Sequence, residues 1–181
     1  MSVANTYIQQ IKFNGKNYSK GSVVDLKESF KIICQDFPFK KNPKSKDLPS
    51  RDWYDEDGLD VYIPDTLPIK HYDFDVVFLY VGTKENIRAD ISKFIDFIYG
   101  RIKGNNGDSV KSSRLAVYNE YVGMGRKDIV VSEVENTLFY LSNNDPDAIA
   151  TFKVKFTVYD PTTIVTPVES SSGKVIELNF S

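Results

Sequence analysis

The chain has 181 residues, of which 41% are hydrophobic, 27% charged and 13% aromatic, a balance that excludes disordered and collagen-like classes and gives one domain a core of its own. Its 23 basic and 25 acidic side chains leave a formal charge of −2, so no global field draws it to nucleic acid or an anionic membrane. The single cysteine, Cys34, cannot form an internal disulfide and reads as a small core residue within FKIIC, with no CxxC or Cys/His neighbours at metal spacing.

In chain order, MSVANTYIQQ has neither a basic start nor a long apolar run, and no later segment reaches the length of a membrane span. The expectation is a protein made and kept in the cytoplasm until it joins something larger. Residues 6–26 read as two short strands about Asn14-Gly15, the dipeptide best suited to a tight hairpin. SFKIICQDF, residues 29–37, is a further apolar stretch that Pro38 ends. A long loop follows, basic at first (Lys40, Lys41, Lys44, Lys46, Arg51) and then acidic (Asp52, Asp55, Glu56, Asp57, Asp60, Asp65), with Trp53 and Tyr54 between.

IKHYDFDVVFLYVG, residues 69–82, alternates. Tyr72, Phe74, Val76, Phe78 and Tyr80 share one face, and Val77, Leu79 and Val81 make the other face apolar near its end. This pattern predicts a central strand covered on both sides at its end. Between residues 84 and 103, Ile87, Ile91, Phe94, Ile95, Ile98 and Ile102 form the stripe of an amphipathic helix, with Thr83 to cap it, Glu85 in its first turn, and Arg101 and Lys103 near its end. GNNGDSVKSS is a polar loop; RLAVYNEY and KDIVVSEVENTLFYL flank Gly123 and Gly125 as a hairpin, and the parity change between Val131 and Val134 predicts a bulge. AIATFKVKFTVYD, residues 148–160, alternates almost without fault, which predicts an antiparallel strand with one wet face. KVIELNF, residues 174–180, adds an edge strand or an arm.

The reading is α+β: about eight strands in a mainly antiparallel β-sandwich or half-barrel, flanked by one helix at about 84–103. Residues 1–162 form one β-rich domain, and 163–181 a C-terminal arm or edge strand.

Chemistry-bearing patterns are sparse. The only histidine, His71, starts a strand, so every Ser-His-Asp or Cys-His arrangement depends on it. GNNG and GMG lack the phosphate-loop and dinucleotide spacings. The acidic run RDWYDEDGLDVYIPD is the best cation candidate, since hard cations take several carboxylate oxygens, but Pro64 and Thr66 occupy the neighbourhood where a calcium loop needs its glutamate. A solvated turn or interface loop, a cation site and an acid cluster therefore all stay open for this stretch, with EDGLDVYIP read as an Asp-Gly turn leading into a strand. No catalytic residue, metal site or cofactor is assigned.

A loop holding RDWYDEDGLDV, a strand ending in FDVVFLYVG, a helix beginning IRADISKFIDFI, strands RLAVYNEY and RKDIVVSEV, and a closing FKVKFTVYDP follow one another over roughly residues 5–162. This order resembles the N-terminal ring-forming domain of the distal tail protein family of long-tailed bacteriophages. The resemblance implies a non-enzymatic virion structural protein: a helix-flanked β-sandwich closing a hexameric ring between tail tube and baseplate hub. Its partners would be copies of itself and those tail proteins, with DNA only as non-specific cargo in a central channel and no membrane. Longer members carry a C-terminal carbohydrate-module-like domain that is not seen here, so host-receptor binding is not implied. The tail tube subunit is similar to the ring domain, which leaves a tail tube or tail-completion subunit as an alternative.

In a head-to-tail ring each subunit offers two different patches, so the basic and acidic loops could meet across neighbouring copies. Lys40, Lys41, Lys44, Lys46, Arg51, Trp53, Tyr54, Asp55, Glu56 and Asp57 are the candidate subunit-contact residues. The two loops could equally neutralise each other within one subunit or face water. A small cation-dependent enzyme and a soluble adaptor binding one partner through residues 38–65 are the rival classes.

Overall fold

The computed structural model describes residues 5–34, 37–55, 57–141 and 146–181. Its first element is the hairpin predicted at Asn14-Gly15. Strands β1 (Thr6–Phe13) and β2 (Tyr18–Asp25) run antiparallel, and Gly15 takes φ 88°, a conformation that L side chains resist. Asp25 then accepts hydrogen bonds from the backbone N–H groups of Lys27 (2.8 Å) and Glu28 (3.2 Å). They cap a short helix, α1 (Leu26–Phe30), before β3 (Ile32–Cys34). The apolar stretch at 29–37 thus divides between α1 and β3, and its residues 35 and 36 lie outside the described residues.

After a long excursion that contains β4 (Ser50–Arg51) and β5 (Asp60–Val61), the chain enters β6 (Tyr72–Thr83) and then helix α2 (Ile87–Ile98). There follow β7 (Leu115–Asn119), β8 (Met124–Val134), β9 (Leu138–Leu141), β10 (Asp147–Glu169) and β11 (Val175–Phe180). Among the described residues the elements number eleven strands and two helices, against about eight strands and one helix expected. Nine strands form one antiparallel sheet in the order β2-β1-β7-β8-β10-β6-β3, with β9 and β11 also paired to β10. The fold is α+β, a sheet-dominated sandwich flanked by one amphipathic helix.

The main core lies between the sheet and α2. Phe74, Phe78, Phe152 and Phe156 from β6 and β10 meet Phe94 and Phe97 of the helix, Phe30 of α1 and Phe37, all buried. Phe78 alone has ring contacts with Phe37, Phe94, Phe152 and Phe156 at centroid separations of 6.5, 5.2, 5.6 and 6.3 Å. A second cluster uses the opposite parity of β1 and β7: Tyr7, Ile11 and Ala116 pack against Val165, Val175 and Leu178 of the β10–β11 hairpin. Layers on both faces of β1 explain why its first six residues are all buried.

Four sequence expectations need correction. The helix covers residues 87–98 rather than 84–103. Residues 84–86 form a turn in which the Asn86 amide donates to Thr83 Oγ1 (3.1 Å), so Thr83 does not cap the helix. At the other end Gly100 adopts φ 70°, and a Cβ there would stand 2.3 Å from the Ser113 nitrogen, so the helix stops and the chain turns beneath residues 112–113. The outer face of β6 is not covered, because α1 and α2 both pack on its Phe74 and Phe78 side; Val77 is 59% and Val81 48% exposed. Nor is β6 central, since only the three-residue β3 lies beyond it.

The predicted bulge is found at Ser132, where the register between β10 and β8 shifts from Lys155↔Glu133 to Phe156↔Val131. The boundary expected at residues 162 and 163 falls inside β10, at a corner built by Asp160. Its carboxylate accepts from the backbone N–H of Thr162 (3.2 Å) and Thr163 (3.0 Å) and from both threonine hydroxyls. Burial alone would raise the Asp160 pKa, but these hydrogen bonds outweigh it and hold the carboxyl at about 2. Beyond the corner β10 pairs with β11, which reaches back to β2 through the Lys20–Glu177 ion pair.

Candidate functional site

The candidate loop is an arm. Phe37 and Phe39 sink into the core at its outgoing root and Tyr72 at its return. The root is tied by Lys40 N–H donating to Tyr72 Oη (3.1 Å) and by the buried Arg126 guanidinium donating to the Lys40 carbonyl (3.4 Å) and the Thr163 carbonyl (3.3 Å). Between these anchors, not one described residue from 40 to 71 is buried.

The arm is nevertheless organised. Lys70 N–H donates to the Lys44 carbonyl (2.8 Å), Ser45 bridges Ile69, and Lys46 N–H donates to the Pro68 carbonyl (2.7 Å). Further out, Tyr62 N–H donates to the Pro49 carbonyl (3.1 Å), and β4 pairs with β5 as Ser50↔Val61 and Arg51↔Asp60. Between these two sets the pairing shifts, leaving extra residues on the returning side around Ile63-Pro64, where proline cannot donate to a ladder. The result is a two-stranded ribbon closed by a tip whose described residues are 52–55 and 57–59, where Gly58 takes φ 99°.

The predicted contact residues divide along this ribbon. Lys40 belongs to the root, its Nζ 5.2 Å from the centroid of the Tyr72 ring. Lys41, Lys44 and Lys46 lie on the outgoing side, and Lys44 and Lys46 use their backbones to hold the returning side. Arg51 covers the Trp53 ring at 5.4 Å, while Tyr54 is fully exposed. Asp55 and Asp57 are exposed at the tip, and Glu56 lies outside the described residues.

From Lys44 to Arg51 the outgoing side spans up to about 23 Å at about 3.3 Å per residue, against a Debye length of about 8 Å, so the root lysines are largely screened from the acidic tip. Among the described residues the arm's one ion pair is Lys70–Asp47 at 3.8 Å, well away from the tip. The tip therefore presents a negative charge beside exposed aromatic and apolar groups: Trp53, Tyr54, Leu59, Tyr62 and Ile63.

Other candidate chemistry does not assemble. Cys34 is buried with its Sγ 3.0 Å from Thr6 Oγ1, and its strand register places it opposite Phe78. His71 is exposed and stacks on Tyr159 at 6.0 Å. The two stand roughly 23 Å apart along β6 at about 3.3 Å per residue, too far for a proton transfer. Among the described residues no three His, Cys, Asp or Glu side chains gather to hold a metal ion.

A feature absent from the sequence reading lies at the other edge of the sheet. An open groove of about 960 Å³ is lined by Lys93 and Arg101, by the loop from Lys103 to Asp108, by Lys111 and by Ser22 of β2. Gln10, buried in β1, fixes its floor by donating to the carbonyls of Phe97 and Ile102 (2.8 Å each). Asp108 accepts from Ser22 N–H (3.0 Å), the Ser22 hydroxyl and Asn105 N–H (3.1 Å). Burial would raise this carboxyl, but the hydrogen bonds, with Lys103 nearby, carry its pKa below the ordinary value. Four cations thus line the groove with one carboxylate, Asp108, which already accepts three hydrogen bonds; of the four, Arg101 is paired with Asp96 at 3.0 Å. The sequence signal was the cation spacing across residues 93–111, but only Gln10 and Ser22, far away in the chain, fold those positions into one concave surface.

Val77 and Val81 on the outer sheet face have Ile149, Leu138 and Tyr140 in neighbouring register positions, all exposed. No family model, no curated protein and no solved structure matches the chain.

Proposed function

We propose that the chain is a self-assembling structural subunit of a long-tailed phage tail, a ring-forming distal tail component linking tail tube to baseplate. The carrying observation is the arm: a paired ribbon spanning residues 44–70 with no buried residue among those described and an aromatic, acidic tip. Ordering such a segment costs backbone entropy that a protein acting alone gains nothing from, whereas exposed Trp, Tyr and Ile become favourable once a neighbour covers them. The order of elements that underlies the tail-protein resemblance is compatible with this use. The exposed apolar stripe on the outer sheet face gives a second surface for neighbours.

Electron microscopy and sedimentation velocity of the purified chain test the proposal. Six-fold rings are expected, with the emission of Trp53, the only tryptophan, shifting to shorter wavelength as rings form. A strict monomer at concentrations on the order of 100 µM, with unshifted emission, overturns it. A tail tube subunit would instead stack its rings into tubes under the same conditions.

A further inference from the structure

We infer that the basic groove at the β2–β1 edge receives the acidic tip of the arm of a second copy of this chain, an inference that rests on the self-assembly reading. Charge complementarity is the first argument. Among the described residues, Lys93, Lys103 and Lys111 take part in no ion pair, and Asp108 is occupied by Ser22 and Asn105. At the tip, Asp52, Asp55, Asp57 and Asp60 are exposed and likewise form no ion pair among the described residues. Each surface carries the charge that the other lacks.

Position is the second argument. The groove lies at the β2–β1 end of the sheet, whereas the arm leaves from a root held by Tyr72 of β6 and Arg126 of β8. No described arm residue lines the groove of its own subunit. A patch and its complement at two separate places on one subunit can join head to tail, the type of contact that propagates into a ring or a filament. Shape is the third. A volume of about 960 Å³ is at the top of the range for small-molecule sites, and this one is open to solvent, which suits a ribbon turn better than an enclosed ligand. Tyr54, fully exposed on that turn, offers its ring faces to the lysines that line the groove, and Trp53 the face that Arg51 leaves open.

Sedimentation velocity on full-length variants tests the contact. Lys93→Glu with Lys103→Glu and Lys111→Glu reverses the groove; Asp52→Lys with Asp55→Lys and Asp57→Lys reverses the tip. All six positions are exposed, so both chains keep their fold, which far-UV circular dichroism checks. Each reversed chain alone associates more weakly by on the order of tenfold or more, and an equimolar mixture of the two regains assembly. If the groove-reversed chain assembles like the parent while a chain with residues 45–69 excised does not, the groove contact is wrong and self-assembly through the arm stands. If the excised chain also assembles like the parent, both fall. If groove reversal leaves assembly untouched but abolishes binding of a short DNA duplex measured by fluorescence anisotropy, the groove serves phosphates and the contact is likewise overturned.

Discussion

Excising the arm isolates its contribution to folding. Replacing residues 45–69 by a four-residue turn between Lys44 and Lys70, which already share a 2.8 Å hydrogen bond, leaves Phe37, Phe39, Tyr72 and the Arg126 bonds in place. Shortening the closed loop from about 25 residues to about 4 lowers its closure cost by about 1.6 kcal/mol, from (3/2)RT times the logarithm of the length ratio. The Lys70–Asp47 pair is lost, but with side chains 49% and 98% exposed it contributes at most a few tenths of a kcal/mol. The ribbon's own hydrogen bonds disappear together with the residues they order. Folding stability should therefore hold or rise by about 1 to 2 kcal/mol while self-association is lost. Urea titration followed by far-UV circular dichroism reads the first quantity, because Trp53 leaves with the arm, and sedimentation velocity reads the second. A stability loss above about 2 kcal/mol would mean that the arm packs on the body, and the reasoning would fail.

Phe78→Ala removes a fully buried ring from contact with four others and should cost about 3 to 5 kcal/mol by urea titration; a cost under about 1.5 kcal/mol would show that the core re-collapses around the site. The pH profile has two limbs. Because the Asp160 carboxyl falls from 3.8 to about 2 on folding, its contribution is present above pH 3.8 and is lost as pH falls toward 2, a limb that Asp160→Asn should flatten. Because burial, reinforced by Glu120, raises the Tyr7 hydroxyl from 10.0 to about 12, the folded state keeps a proton that the unfolded chain gives up. Stability therefore declines as pH rises from 10 toward 12, and thermal melts of Tyr7→Phe should show a shallower alkaline decline.

What was legible in the sequence was local. The Asn14-Gly15 hairpin, the alternation of β6 and β10 and the isoleucine stripe of α2 each follow from periodicity within a single element. Helix α1 was missed because five residues show no period, and its signal was only Asp25 as cap. Where α2 stops depends on Gly100 lying against residues 112–113, a contact that no window around the helix contains. The continuation of β10 past Pro161 hinges on one side chain, Asp160, replacing ladder bonds at the corner. The arm was legible as a charge pattern, while its ribbon was not, since the pairing slips register midway. The groove was invisible because its cations meet only through bonds to β1 and β2.

Strand β10 runs for 23 residues and is hydrogen-bonded in turn to β6, β8, β9 and β11, so it belongs to both hydrophobic clusters. Pulling the chain at its C-terminus would strip the edge strand β11 first and only then load this one spine. Its failure would release both layers together, so a stretched chain should yield in one main rupture after that first short step.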